Sequence, residues 1–110
     1  PAQIKLTPDR TVLKADGTDL SFVTVEILDK EGNLCPNADN QVKFNVEGNG
    51  FVAGVDNGNQ ISLERFKASQ RKAFYGKCLV VVQNSGKKGT INLKAVSDGL
   101  NADIVKIKVR

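Results

Sequence analysis

The sequence predicts an all-β domain, a Greek-key sandwich of about seven strands. Three observations carry that reading. Apolar and polar residues alternate at period two in one segment after another. Clusters rich in Gly, Asn, Asp and Pro separate these segments at short intervals. No segment shows sustained helical periodicity, internal repetition or low complexity. The 110 residues fall in the range of one domain, enough for a single core and too few for two.

The elements follow in order. Ile4 and Leu6 mark a first short strand, ended by Thr7-Pro8-Asp9. Residues 20–29 alternate, with Ser21, Val23, Val25 and Ile27 on one face and Thr24 and Glu26 on the other. Asp29-Lys30-Glu31-Gly32-Asn33 reads as a turn and residues 35–40 as a loop. Val42, Phe44 and Val46 form the next inward face, and Gly48-Asn49-Gly50 turns the chain into a strand over 51–55. Residues 77–83 are a nearly continuous apolar run, which fits a well-covered strand. Ser85-Gly86-Lys87-Lys88-Gly89 is a hairpin connection. Ile91, Leu93 and Ala95 then alternate with Asn92, Lys94 and Val96, and Val105, Ile107 and Val109 close the chain. The expected core is Leu6, Val23, Val25, Ile27, Val42, Phe44, Val46, Leu79, Val81, Ile91, Leu93, Ala95, Val105 and Ile107. Each large side chain contributes about 1.5–3 kcal/mol when buried. One stretch stands apart. Residues 56–76 make a connection of roughly 20 residues without a clear strand, uncommon in a compact domain and often functional, with room for a short strand or helical turn around 63–66.

Composition narrows the function classes. Histidine, methionine and tryptophan are absent, so neither a Ser–His nor a Cys–His pair can be built, and a zinc site of the usual type lacks its ligands. The acids sit mostly in turns or on polar faces, where solvated charge is the default. No catalytic residue, metal site or cofactor is expected within these residues. Asp56-Asn57-Gly58-Asn59 and Asp16-Gly17-Thr18-Asp19 are rich in oxygen ligands but lack the spacing of a dedicated calcium loop, and both read as turns. Two cysteines, Cys35 and Cys78, are too few for a disulfide scaffold; they read as separate free thiols, with one bridge as the alternative. No run of about 18 apolar residues exists to span a membrane as a helix. No signal peptide is present; with Pro1 first and no methionine, the chain reads as an internal piece of a longer protein, with a processed N-terminus as the alternative.

The net charge of +4 hides an asymmetry. Residues 1–64 carry five basic and ten acidic side chains, a net of −5, and residues 65–110 carry eleven basic and two acidic, a net of +9. Such halves can complement each other or present one basic surface to a partner. Residues 65–77 interleave Arg65, Lys67, Arg71, Lys72 and Lys77 with Phe66, Phe74 and Tyr75, a pattern that can contact phosphates and stack bases. The run matches no nucleic-acid motif and suits equally a loop whose phenylalanines plug the core while its lysines stay wet, so nucleic acid is not an expected partner. A sugar platform leans on exposed Trp and Tyr; this chain offers Tyr75 alone.

Together these segments resemble known domains. The stretch 19–33 with FVTVEILDKEGN, then Pro36, Ala38 and VKFNVEGNG, resembles bacterial immunoglobulin-like domains. GVDNG at 54–58, RFK at 65–67, RKAFYGKCLVVVQ at 71–83 and INLKAVSDGL at 91–100 narrow the resemblance. They are similar to the C-terminal immunoglobulin-like domain of glycoside hydrolase family 2 enzymes of the β-galactosidase type. The chain departs from antibody-type domains in having no Trp in its third strand and in placing Tyr75 three residues before Cys78.

The resemblance implies one immunoglobulin-like domain over residues 1–110, part of a longer multidomain hydrolase. It implies a non-catalytic accessory module of a β-galactosidase-like enzyme that cleaves terminal β-galactosides or related glycans, in the periplasm or outside the cell. The family's catalytic carboxylates lie on a separate barrel domain, and none maps onto this chain. The implied partners are the other domains of the parent hydrolase, with carbohydrate as a further one. Loop length and charge point to the 56–76 excursion for that contact, through Arg65, Phe66, Lys67, Arg71 and Lys72. Two alternatives remain from other classes: a spacer domain of a surface adhesin, and an independent carbohydrate-binding module.

Overall fold

The computed structural model describes residues 1–56, 70–73 and 75–110, with Arg71 and Lys72 as backbone alone. In chain order the strands are β1 (Gln3–Pro8), β2 (Val12–Leu13), β3 (Leu20–Leu28), β4 (Gln41–Gly48), β5 (Gly50–Asp56), β6 (Gln70–Lys72), β7 (Lys77–Asn84), β8 (Gly89–Val96) and β9 (Asp103–Val109). Two sheets pack face to face, one in the order β1-β3-β7-β5 and the other in the order β2-β9-β8-β4-β6. Among these strands every pairing is antiparallel except that of β2 with β9.

The seven longer strands are those the alternation predicts. β2 and β6, of two and three residues, are too short to show a period. β6 lies within the 56–76 excursion, at Gln70–Lys72; residues 57–69, with the turn or strand expected around 63–66, lie outside the described residues. Pro8, expected to end the first strand, is its last paired residue, opposite Val23. It is tolerated there because β1 is an edge strand and one N–H can be spared.

The core fills the space between the sheets. Val23, Val25, Ile27, Val42, Ile91, Leu93, Ala95 and Ile107 are inaccessible to solvent, and Leu6 and Phe44 are buried, as the alternation predicts. Val46 and Val105 are half-buried against this cluster. Leu13, from two-residue β2, and Val55 join it without having been expected.

β7 corrects the sequence reading. Leu79 and Val81 are half-buried, while Cys78, Val80, Val82 and Asn84 are the buried residues. The run is apolar on both parities, so its composition cannot choose a face. Pairing decides it. The inward residues of β3 are Ser21, Val23 and Val25, and they stand opposite Val82, Val80 and Cys78. Residues directly opposite in a ladder share a face, so one register error would invert the whole strand.

Candidate functional site

The strand directions sort the connections into two ends. Pro1 and residues 29–40, 73–76 and 97–102 lie at one end; residues 9–19 and 85–88 and the C-terminal Arg110 lie at the other. At the first end the backbone is laced together across long sequence separations. The Ile27 amide donates to the Gly76 carbonyl at 2.8 Å, and the Gly76 amide to that of Ala38 at 2.9 Å. The Cys35 amide donates to Ile27 and the Ala73 amide to Asn40, each at 2.9 Å. Tyr75 is held in the left-handed region at φ 52° and is 67% exposed. A non-glycine residue held there marks a turn whose surroundings over-determine it. A shallow hollow beside it is lined by Pro1 and residues 35–40. Cys35 and Cys78 form no disulfide, Cys78 being buried opposite Val25 and Cys35 half-buried against the core.

The opposite end is an acidic turn organised by its own side chains. Asp16 Oδ1 accepts from the amides of Thr18 at 2.9 Å and Asp19 at 2.8 Å. Those two donors hold its carboxyl down at about 2. The Asp19 carboxylate takes both terminal nitrogens of Arg10 and the amide of Lys14. The Arg10 pairing, first, and the Lys14 amide keep its pKa below the usual carboxylate range. Residues 16–19 thus act as the turn the sequence suggests, their carboxylates occupied by donors of the chain. Asp56 ends β5, and residues 57–59 lie outside the described residues.

The two outer sheet faces differ. On the five-stranded sheet, Lys43, Lys94, Lys106 and Lys108 face outward with Glu47 as the acidic neighbour, so the basic second half of the chain supplies most of one surface. Asn92 lies in the same row as Glu47 and Lys106, and its Oδ1 is buried without a partner among the described residues. On the four-stranded sheet, the outer residues of the three strands β3, β7 and β5 include Phe22, Leu79, Val81 and Phe51.

Of the five residues expected to form a contact, Arg71 and Lys72 fall within the described residues. Arg71 and Lys72 are neighbours in β6, one registered opposite buried Val42 and the other opposite exposed Gln41. Arg65, Phe66 and Lys67 lie outside the described residues. The apolar outer face was missed, although the nearly continuous apolar run at 77–83 was its signal.

A family model described as glycoside hydrolase family 2 C-terminal domain 5 matches residues 4–106. The chain is 66% identical over 107 residues to the beta-galactosidase BoGH2A of Bacteroides ovatus, covering 97% of this chain and 13% of that protein. A crystallised glycosyl hydrolase family 2 member from Bacteroides cellulosilyticus superposes with a TM-score of 0.96 at 36% identity, over 99% of this chain and 14% of that one. The Yersinia pseudotuberculosis adhesin InvE superposes with a TM-score of 0.65 at 22% identity, over 96% of this chain and 26% of that one. That last likeness is one of fold alone.

Proposed function

This chain belongs to the glycoside hydrolase family 2 C-terminal domain 5 family, and from that premise we propose that it serves a β-galactosidase-type glycosidase as a non-catalytic packing module. The parent enzyme would cleave terminal β-galactosides or related glycans in the periplasm or outside the cell. One observation carries the reading: identity of 66% to a beta-galactosidase runs through nearly the whole chain, yet the chain spans only 13% of that protein's length. A piece so small, built as a sandwich around its own core, is suited to bracing larger neighbours.

The geometry supports a place for the contact. In a family whose description puts this domain at the C-terminus, preceding chain enters at Pro1. Pro1 lies beside the loop at 35–40, at the end where β5 leaves at Asp56. We place the interdomain contact at that end, with Arg65, Phe66, Lys67, Arg71 and Lys72 as its contributors.

The reading frame around this chain tests the assignment first. A family 2 barrel ahead of it supports the proposal; a tandem array of similar domains with a surface anchor leaves an adhesin spacer instead. Within the parent, Arg71→Glu with Lys72→Glu is expected to lower thermal stability and alter turnover of a chromogenic galactoside. Unchanged stability and kinetics would remove these residues from the contact. Cell fractionation reads the location.

A further inference from the structure

β7 is apolar on both faces, and among the described residues only one of them has a cover. Cys78, Val80 and Val82 meet the opposite sheet, while Leu79 and Val81 alternate with them on the outside. The register extends this outer side into a stripe. Phe22 of β3 stands opposite Val81, which stands opposite Gly54 of β5. The next row toward the 85–88 end joins Leu20, Gln83 and Phe51. Phe22 is 43% exposed and Phe51 47% exposed. Strand spacing and rise put the two about 12 Å apart, with Val81 in the row of Phe22 and Gly54 adding no side chain of its own.

An antiparallel sheet with one solvated face normally alternates apolar and polar residues, as the lysine-bearing sheet of this molecule does. The four-stranded sheet breaks that pattern where a strand carries the composition of one covered on both sides. We propose that this outer face, centred on Phe22, Leu79, Val81 and Phe51, is covered by an apolar surface of another domain of the same polypeptide. The inference rests on the packing role proposed above and assigns it a second surface.

Size and tethering select the occupant. The stripe spans three strands over two rows, with Leu79 in a third row between Thr24 and Asp56, on the order of 200–300 Å², against about 800 Å² per partner for a stable free-standing dimer. A patch this small holds a partner that is already attached, because a covalent tether raises the effective concentration to the millimolar range. The attached chain exists in the relative, of which this domain is 13%.

Hydroxyl-radical footprinting of the parent protein and of the 110-residue chain tests the proposal. Modification of Phe22 and Phe51 is expected to be at least about threefold slower in the parent, while Val12, exposed on edge strand β2 of the other sheet at the end away from Pro1, reacts alike in both. Equal rates for the two phenylalanines overturn the proposal. So does protection in the 110-residue chain that grows with its concentration alongside a dimer mass, which makes a second copy the occupant. Phe22→Glu in the parent is expected to return Phe51 to its rate in the 110-residue chain; continued protection overturns the stripe as the contact. Galactoside turnover by the parent is read separately, so loss of the glycosidase assignment and loss of this contact are distinct results.

Discussion

The amide of Gly17 donates to Asn84 Oδ1 at 2.8 Å, joining positions 67 residues apart. Asn84 closes β7 from inside the sandwich, fully buried. Its Oδ1 also accepts from the Gly86 amide at 2.9 Å, and its Nδ2 donates to the Asp19 carbonyl at 2.9 Å and to Asp16 Oδ1 at 3.3 Å. One side chain therefore satisfies both the acidic turn at 16–19 and the hairpin at 85–88. A buried polar group is tolerated only with its partners, and removing it strands theirs.

Asn84→Ala is accordingly expected to cost about 2–3 kcal/mol, more than a comparable loss of volume alone would explain. Urea unfolding of the 110-residue chain measures it. A change under about 0.5 kcal/mol would mean that water replaces all four bonds.

The same turn sets an acid response. The Asp16 carboxyl sits at about 2 in the folded chain, against the ordinary 3.8, because the Thr18 and Asp19 amides donate to its charged form. Asp19 and Asp29 are also depressed, the first chiefly by Arg10 and the second chiefly by the Asn33 amide. A group whose folded pKa is lowered stabilises fully above its unfolded value and loses that stabilisation as pH falls through the folded value. The urea midpoint should therefore decline between about pH 4 and pH 2. Asp16→Asn removes the titrating charge, so its curve should start lower at neutral pH and fall less steeply on acidification. Parallel curves for the two proteins would show that Asp16 contributes nothing to the acid response.

Two glycines with the same backbone sign separate strain from collision. Gly99 has φ 78° and open space where a Cβ would stand. Gly76 has the same φ, but a Cβ there would collide with the carbonyl of Cys35. Gly99→Ala is expected to cost about 1–2 kcal/mol, the left-handed penalty alone. Gly76→Ala should exceed about 3 kcal/mol, because its obstacle is backbone that itself holds the lacing at 35–40. Equal losses in chemical denaturation would show that this loop yields.

These features differ in how far the sequence announces them. Alternation in 20–28 and 41–46 fixes strand, face and core together, because each polar residue marks the side that Val23, Val25, Val42 and Phe44 avoid. Val12-Leu13 has no period to read, and Leu13 owes its burial to a parallel pairing with β9 almost 100 residues away. Asn84 reads as a surface residue beside Ser85-Gly86, since nothing local tells that its amide is turned inward to four partners. The acidic turn is legible as a turn from Asp16-Gly17, whereas its pairing with Arg10 depends on where β1 ends. The expected contact residues were chosen by loop length and charge, and neither quantity specifies which residues meet.

β7 offers the sharpest test of that boundary, because its residues are chemically alike and only the register distinguishes them. Val80 is inaccessible to solvent and stands opposite Val23; Val81 is half-buried and stands opposite exposed Phe22. Val80→Ala removes two methyl groups from a closed core and should cost about 2–3 kcal/mol. Val81→Ala in the 110-residue chain loses part of a cross-strand contact with Phe22 and should cost less than about 1 kcal/mol. The reverse order in urea unfolding would restore the face first expected, put Leu79 and Val81 in the core, and remove the apolar stripe from the surface. With Val80 the costlier loss, the register stands: Val80 belongs to the core and Val81 to the outer face.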